Sequence, residues 1–264
     1  MNKDFTALHA QIAALTENEP GIFAVTVIDL QSSKELNINA RPMRSASLIK
    51  LFIMAEAFAR MAAGSLLPSE NISFTESDIV GGAGLLQQLP AGTSRTVLEL
   101  IELMITESDN IATNLLIERF GAEAINSRIQ KMGCFHTCLR RHMMDFTAAA
   151  AGRENLTSVT DTARAMATIY HSRCIGAAAD QTMREILERQ TDRCKIPLYL
   201  PSGTVCQHKT GELPGAEHDA GIVYSPSGAY VLAIMSDELP DPEHGRHVVA
   251  RLSKAIYDFF AGAG

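Results

Sequence analysis

The sequence predicts an α+β protein in which an antiparallel sheet is flanked by terminal helices and an all-helical region is inserted between the two halves of the sheet. Strand-like apolar segments occur near both ends of the chain, and helical periodicity fills the middle. The 264 residues, 46% hydrophobic and 20% charged, suffice for one large core. We predict a single domain over residues 1–264, with subdomains formed by 1–40 with 191–264 and by 41–190.

The N-terminal part of the chain reads as a helix followed by a strand pair. Residues 5–17 have amphipathic helical spacing that ends at Pro20-Gly21. The apolar segments IFAVTVIDL and ELNINA then flank the polar turn QSSK, which is the pattern of two antiparallel strands.

The middle of the chain, from about residue 47 to 190, reads as a succession of helices. Six segments repeat apolar residues every 3.6 positions, and Thr96 and Thr160 are predicted caps. These segments are SLIKLFIMAEAFARMAA, TVLELIELMITES, NIATNLLIERF, AEAINSRIQKM, TDTARAMATIY and QTMREILERQ.

The C-terminal part returns to strands. The segments VCQHKTGE, DAGIVYS and AYVLAIMS precede a last amphipathic helix, PEHGRHVVARLSKAIYDFF. Because both ends of the chain supply strands, we expect one sheet built from the two ends and a cleft where it meets the helices.

Charge and hydropathy exclude two classes of partner. Lys and Arg number 23 against 30 Asp and Glu, which gives a net charge of −7 and no basic run for nucleic-acid binding. The longest apolar helix candidate, LFIMAEAFARMAA, is interrupted by Glu56 and Arg60, well short of the roughly 20 apolar residues that span a bilayer. We therefore expect no nucleic-acid partner and no membrane partner. We also expect the protein to be a monomer.

The first residues and the cysteines indicate the cellular compartment. MNKDFTALHAQIAALTEN lacks the unbroken apolar region of a signal peptide, so the chain as written is predicted to be cytoplasmic; it would be periplasmic or secreted if a leader has been removed. Five cysteines, all in the second half, do not form the pattern of a disulfide framework.

Ser47 and Lys50 form an S-x-x-K motif at the head of the most apolar helix. Residues three apart lie on one helix face, so a desolvated Lys50 amine could take the Ser47 hydroxyl proton. The structural alternative is a capping serine with a lysine that extends to solvent.

Two further short motifs follow in the chain. Ser108-Asp109-Asn110 lies between two helices, where it suits either a helix cap or a polar corner of a cleft. Lys209-Thr210-Gly211 lies on a predicted strand, where the lysine protects a sheet edge or, with Thr210, binds an anionic substrate; Gly211 would then allow close approach of the ligand.

The order of the three motifs resembles that of the penicillin-recognising serine hydrolases, and most closely the class A β-lactamases. The similarity extends over nearly the whole chain and includes SASLIKLF, LLQQLPAGTSRTVLELIELMITESDNIATNLLI and HKTGELPGAEHDAGIV. The resemblance implies the β-lactamase/transpeptidase-like fold and hydrolysis of β-lactams through an acyl-serine intermediate, without a metal or cofactor.

The resemblance also implies a role for each matching residue. Ser47 would be the nucleophile, Lys50 its base and Ser108 the proton relay to the departing nitrogen, with Asp109 structural. The residues implied to bind substrate are Asn110 at the amide side chain, Lys209 and Thr210 at the carboxylate, Gly211, and Glu212, whose backbone N–H would form the oxyanion hole with that of Ser47.

Two positions depart from the family pattern. The loop TCLRRHMMDFTAAAAGRENLTS has no glutamate at the distance where class A enzymes carry the one that activates the deacylating water. Asp145, Glu154 or neither residue could take that role, and we assign it to Asp145. The strand DAGIV also lacks the arginine that many members use for the substrate carboxylate, and His218 is a weak substitute.

Three alternatives remain open. A D-Ala-D-Ala peptidase or esterase of the same fold is favoured if the deacylating carboxylate is missing. A penicillin-binding sensor with slow deacylation has the same first step. A zinc enzyme built on Cys134, His136 and Cys138 lacks an evident fourth ligand.

Overall fold

A five-stranded antiparallel sheet forms the centre of the protein in the computed structural model, which describes residues 5–262. The strand order is β2-β1-β9-β8-β7, so strands from both ends of the chain are neighbours, as predicted. Their bounds are β1 (Ile22–Asp29), β2 (Glu35–Ile38), β7 (Cys206–Leu213), β8 (Ala216–Ser225) and β9 (Gly228–Asp237). The predicted α+β fold class is confirmed.

The two terminal helices, α1 (Phe5–Thr16) and α9 (Pro242–Ala261), cover one face of the sheet. Asp241 caps α9 and Pro242 occupies its first turn, where a missing N–H removes no hydrogen bond. The Tyr230 ring of β9 stacks on Phe260 of α9 with centroids 4.2 Å apart. The apolar side chains between these helices and the sheet form one of two separate cores.

The other face of the sheet and the helices of the middle region enclose the larger core. The helices are α2 (Lys50–Ala62), α3 (Val97–Thr106), α4 (Asn110–Phe120), α5 (Ala122–Lys131), α6 (Phe146–Ala150), α7 (Val159–Tyr170) and α8 (Ala177–Glu188). Nine residues of α2 are buried, including Lys50 and Glu56. This helix is central because apolar side chains occupy nearly every face of its first two turns.

The middle region is not entirely helical, which corrects the prediction. Short antiparallel ladders pair β3 (Met43–Arg44) with β6 (Leu156–Thr157) and β4 (Asn71–Ser73) with β5 (Ser94–Thr96). These ladders form where connecting segments distant in sequence run side by side, a relationship that local periodicity does not encode.

Local capping was predicted correctly at one helix and wrongly at another. Thr96 caps α3 by accepting a hydrogen bond from Glu99 N at 3.2 Å. Helix α7 is capped by Ser158 rather than by Thr160, because Ser158 Oγ accepts from Asp161 N at 3.1 Å. Within residues 5–262, no helix has the length and apolar character needed to cross a membrane.

Candidate active site

Ser47 lies in a short 3₁₀ helix, Ala46–Ile49, that leads directly into the buried helix α2. The preceding residue, Ala46, has φ = 46°, a left-handed conformation that costs a non-glycine residue about 1–3 kcal/mol. Ser108, which begins the second motif, also has a positive φ, 53°. Strained backbone therefore occurs beside both hydroxyl groups, a placement common at functional sites.

The three motifs meet at the Ser108 side chain. Ser108 Oγ donates a hydrogen bond to Ser47 Oγ at 2.9 Å and accepts from Lys50 Nζ at 3.1 Å and from Lys209 Nζ at 3.2 Å. Residues from the 3₁₀ helix, α2, the α3–α4 corner and β7 thus share one polar cluster. The structure brings together the residues that the sequence singled out at positions 47, 50, 108 and 209.

Lys50 contacts Ser108 and Asn110 rather than Ser47. Its amine donates to Ser108 O at 2.7 Å and to Asn110 Oδ1 at 3.0 Å, besides the bond to Ser108 Oγ. Ser108 Oγ is thus hydrogen-bonded both to Lys50 Nζ and to Ser47 Oγ. The direct transfer from Ser47 to Lys50 that the sequence suggested stays a prediction.

Both lysines of the cluster are fully buried, which disfavours their charged forms. Burial, with a smaller contribution from Lys209, lowers the pKa of Lys50 well below its usual value. Burial and the neighbouring Lys195 ammonium lower the pKa of Lys209 to about 7. Burial thus lowers the pKa of both amines beside the two hydroxyl groups and favours their neutral forms.

Asp109 anchors the corner that carries Ser108. Its Oδ1 accepts from Ala112 N at 2.9 Å and caps α4, while Oδ2 accepts from the N–H groups of Leu85 and Leu86 at 2.7 and 2.8 Å. These bonds satisfy both carboxylate oxygens and tie a surface loop to the start of α4. Asp109 thus has the structural position that we expected.

Gly211 is the point of closest approach between β7 and the segment that carries Ser47. A Cβ atom at this position would lie 3.1 Å from Ala46 Cβ and 3.2 Å from Ser47 N. The absence of a side chain therefore lets the edge strand pack against the Ser47 backbone. This contact is with the protein itself, whereas the sequence suggested contact with a ligand.

The cluster opens into a cavity of about 360 Å³. Its lining includes Ser47, Ser108 and Asn110 from the helical side and Thr210, Gly211 and Glu212 from β7. The cavity thus lies at the junction of sheet and helices, where the sequence led us to expect a cleft. Lys50 and Lys209 lie directly behind the hydroxyl groups that line it.

Asp145 is not among the lining residues. Its Oδ1 accepts from Ala148 N at 2.8 Å and caps the short helix α6. General-base catalysis requires hydrogen-bond contact with the reacting water. The role that the sequence assigned to Asp145 stays a prediction, and its capping position does not favour that role.

Glu154, the alternative carboxylate, is engaged elsewhere in the same loop. Its Oε1 accepts from Arg141 Nε at 2.8 Å and from Asn155 N at 2.8 Å. The Arg141 side chain is only 5% exposed, so this pair closes the base of the loop. Like Asp145, Glu154 is not among the residues that line the cavity.

Methionine rather than a carboxylate faces the cavity from this loop. Met143 and Met144 belong to the lining, together with the exposed Phe146. Asn114 fixes the Met143 backbone, because its side chain accepts from Met143 N at 2.8 Å and donates to Met143 O at 3.2 Å. Apart from Arg141, the loop therefore presents apolar side chains to the site.

The structure does not support His218 as a candidate for binding an anion. Its Nε2 donates to Arg44 O, the two atoms being 2.9 Å apart, and its Nδ1 accepts from Ser236 N at 3.2 Å. Burial lowers the pKa of His218 to about 4, so the ring is neutral and both nitrogens are occupied. It cannot replace an arginine at the substrate carboxylate.

Sequence reasoning missed an ion-pair cluster beside β7. Lys195 is fully buried and lies 3.1 Å from Asp192, 2.7 Å from Glu212 and 3.2 Å from Glu217. Burial opposes the charged lysine, but the three carboxylates more than offset it and raise the pKa of Lys195. No sequence signal marks this cluster, because its members come from a loop and two strands.

The candidate zinc ligands do not assemble. Cys134 Sγ lies 3.4 Å from the backbone oxygen of Asp161, and in residues 5–262 the cysteine does not join His136 and Cys138 in a ligand group. Asp192, Cys194 and Glu212 do have potential ligand atoms within 4.8 Å of one another. There the Lys195 ammonium already supplies a cation to both carboxylates.

The fold and the polar cluster define a serine hydrolase of the acyl-transfer type, in which a buried amine and two hydroxyl groups meet at the end of a cleft. The sequence model of the beta-lactamase enzyme family matches residues 7–260. The chain belongs to this family.

Individual relatives agree with the family match. A β-lactamase of Bacteroides uniformis is 28% identical over 177 residues, which cover 62% of this chain and 60% of that protein. A β-lactamase structure from Sphaerobacter thermophilus is similar with a TM-score of 0.90 and 28% identity. The match covers 97% of this chain and 98% of that one. A single-residue mutant of PBP-A, solved as an acyl-enzyme complex with penicillin G, has a TM-score of 0.90 and 29% identity over 97% of both chains.

Proposed function

We propose that the protein opens β-lactam rings through an acyl-enzyme formed on Ser47. The observation that carries the proposal is the set of short distances around Ser108 Oγ: 2.9 Å to Ser47 Oγ, 3.1 Å to Lys50 Nζ and 3.2 Å to Lys209 Nζ. This arrangement connects a nucleophile to two buried amines through one hydroxyl. Membership in the beta-lactamase enzyme family and the penicillin G acyl-enzyme of PBP-A support the same chemistry.

The acylation step uses Lys50 in its neutral form, which burial favours by lowering the pKa of this amine. The two hydroxyls first rotate so that Ser47 donates to Ser108 Oγ and Ser108 donates to neutral Lys50 Nζ, because in the free protein both hydrogen bonds run the other way. The Ser108 proton then passes to Lys50, the Ser47 proton passes to Ser108, and the Ser47 oxygen attacks the lactam carbonyl. The lactam C–N bond then breaks, and Ser108 passes the proton to the departing nitrogen. The buried site favours this route, because desolvation lowers the pKa of Lys50 and so favours the neutral form that accepts a proton.

Substrate groups are held from both sides of the cleft. The N–H groups of Ser47 and Glu212 bind the developing oxyanion, an interaction whose loss typically costs about 3–4 kcal/mol. The close approach of Gly211 to Ser47 N keeps these two segments together. Asn110 binds the amide side chain, and Lys209 with Thr210 binds the substrate carboxylate.

Deacylation is the slow step in this proposal. Asp145 is engaged as a helix cap and Glu154 in an ion pair with Arg141, and Met143 and Met144 occupy the neighbouring part of the cavity lining. We therefore expect that no carboxylate of this loop activates the water beside an acyl-Ser47. The whole loop lies within the described residues. The same feature keeps open two related functions, a D-Ala-D-Ala peptidase or esterase and a penicillin-binding sensor that stays acylated.

Mixing the protein with a chromogenic cephalosporin, while following colour and intact mass together, tests the proposal. We expect rapid appearance of a covalent adduct in the wild type and none in Ser47→Ala. Ser65→Ala, at an exposed serine on the surface, is the matched control and should acylate normally. Sustained turnover indicates a β-lactamase, whereas a persistent adduct indicates the peptidase or sensor. An adduct that survives Ser47→Ala would rule out Ser47 as the nucleophile.

A further inference from the structure

Three carboxylates line one continuous side of the catalytic cavity: Glu107, Asp192 and Glu212, here called the acidic wall. Thr191 Oγ1 donates to Glu107 Oε2 at 3.3 Å, and Asp192 is the next residue along the chain. Lys195 then bridges Asp192 and Glu212. Neighbouring members of the acidic wall are therefore linked by contacts, and the wall extends from the end of α3 to β7.

The Lys195 ammonium lies behind the carboxylates of the acidic wall. The Lys195 side chain is 0% exposed, whereas those of Asp192 and Glu212 are 27% and 49% exposed. A molecule in the cavity consequently meets the carboxylates and not the ammonium. With Glu217 and Arg246 included, the Lys195 cluster still has one carboxylate more than it has cations.

Glu107 adds a negative charge without a compensating cation. Within the described part of the chain, its carboxylate forms no ion pair, and its side chain contacts Thr191. Two arginines line an adjoining groove together with Glu107. Arg189 is paired with Glu102 at 2.7 Å, and Arg95 Nη1 donates to Ser94 O at 2.9 Å. Arg141, the one basic residue among those of residues 5–262 that line the cavity, is paired with Glu154.

We propose that the acidic wall selects substrates that carry a cationic group on the leaving-group side of the scissile bond. This inference rests on the proposed function and adds a substrate class to it. Glu107 immediately precedes Ser108, the residue proposed to protonate the departing nitrogen, and Glu212 lies two residues after Thr210, proposed to bind the carboxylate of the same half of the substrate. A positive charge there gains attraction from several carboxylates at once.

Cephaloridine and cephalothin form a suitable pair of probes, because they share the acyl side chain and differ at the C3 methylene, which carries a pyridinium in one and a neutral acetate ester in the other. The second-order acylation rate constant is measured for both compounds by intact mass. The ratio of the two constants is compared between the wild type and Glu107→Gln. Glu123→Gln, an exposed residue of α5 outside the cavity lining, removes the same charge and is the control.

We expect the cephaloridine to cephalothin ratio to fall by about three- to tenfold in Glu107→Gln and to stay unchanged in Glu123→Gln. The wild-type ratio should also decrease in 1 M salt, where the screening length is about 3 Å. Comparing ratios removes the intrinsic difference in reactivity between the compounds. Equal ratios in the wild type and Glu107→Gln, with both proteins acylated, overturn this inference alone. Absence of acylation by both compounds overturns the proposed function and this inference with it.

Discussion

Ser108 Oγ lies 2.9 Å from Ser47 Oγ, although 61 residues separate them in sequence. The same oxygen is the shared partner of Lys50 and Lys209, so a single hydroxyl connects the nucleophile to both amines. Ser108 is held by its neighbour Asp109, whose carboxylate binds three backbone N–H groups. We therefore expect proton transfer to depend on Ser108.

Replacing Ser108 by alanine should slow acylation by about 10²–10³-fold, because positioned proton transfer typically contributes a factor of this size. The measurement is the rate of adduct formation with a cephalosporin, with thermal unfolding as the check on folding. Acylation of Ser108→Ala within threefold of the wild-type rate would mean that Lys50 deprotonates Ser47 without the intervening hydroxyl.

Acylation by substrates with a carboxylate should depend on pH through both lysines. The pKa of Lys209 in the free protein is about 7, so its charged form, which attracts a carboxylate, is present below pH 7 and is lost above it. Neutral Lys50 is needed for proton transfer, so the rate should also fall as the pH drops below the lowered pKa of Lys50. We expect a bell-shaped profile of the second-order rate constant.

Lys209→Arg is the matched variant for the upper limb of this profile. A guanidinium stays charged throughout the accessible pH range, so the loss of rate above pH 7 should disappear while the lower limb remains. If the upper limb persists unchanged in Lys209→Arg, a group other than Lys209 causes it.

Gly211→Ala should impair acylation without unfolding the protein. The added methyl group would lie 3.2 Å from Ser47 N and 3.1 Å from Ala46 Cβ, so the strand and the Ser47 segment must separate by a few tenths of an ångström. Displacement of oxyanion-hole donors of this kind should reduce the acylation rate by about 10–100-fold. Gly81→Ala, at a glycine with open space around its Cβ position and no left-handed φ, controls for general backbone effects by thermal unfolding.

The central part of the site could be predicted from the sequence because each motif lies on a strongly patterned element. Ser47 precedes a helix with nine buried residues, and Lys209 lies on a strand in which six consecutive residues are buried. Thr96 was identified as a cap for a similar reason, since its partner Glu99 is only three residues away. Each of these features depends on residues that are close together in sequence or on the periodicity of a single element.

The missed features depend on irregular segments and on contacts between distant residues. In the loop before α7 the side-chain directions follow no period, so counting residues favoured Asp145, whereas the structure turns Met143 and Met144 toward the cavity. Lys195 meets carboxylates from positions 192, 212 and 217, which only the folded chain brings together. Neither relationship has a local signature.

Glu154→Gln should destabilise the loop and leave deacylation unchanged. Arg141 is nearly buried, so loss of the carboxylate leaves its guanidinium with a weaker, neutral partner and should lower the free energy of unfolding by about 1–3 kcal/mol. Urea denaturation measures the stability, and decay of the adduct mass measures deacylation. A large decrease in deacylation with unchanged stability would instead assign Glu154 a catalytic role.

Met143→Glu should accelerate deacylation. Met143 lines the cavity that contains Ser47, although the residue is only 8% exposed and also packs in the larger core. The Asn114 amide holds both backbone groups of residue 143, so a glutamate of similar length begins from a fixed backbone. A carboxylate at this place can accept a proton from water beside the acyl group, which is worth about 10²-fold or more when the contact is made. Decay of the cephalosporin adduct, followed by intact mass after removal of excess compound, gives the rate.

Met143→Gln is the control for Met143→Glu, because it has the same shape without the basic group and should deacylate as slowly as the wild type. Asp145→Asn in the wild-type background completes the set, since an amide oxygen can still cap α6. We expect Asp145→Asn to leave deacylation within twofold of the wild-type rate. If Asp145→Asn abolishes deacylation and Met143→Glu has no effect, then the α6 cap opens during the reaction and Asp145 is the base after all.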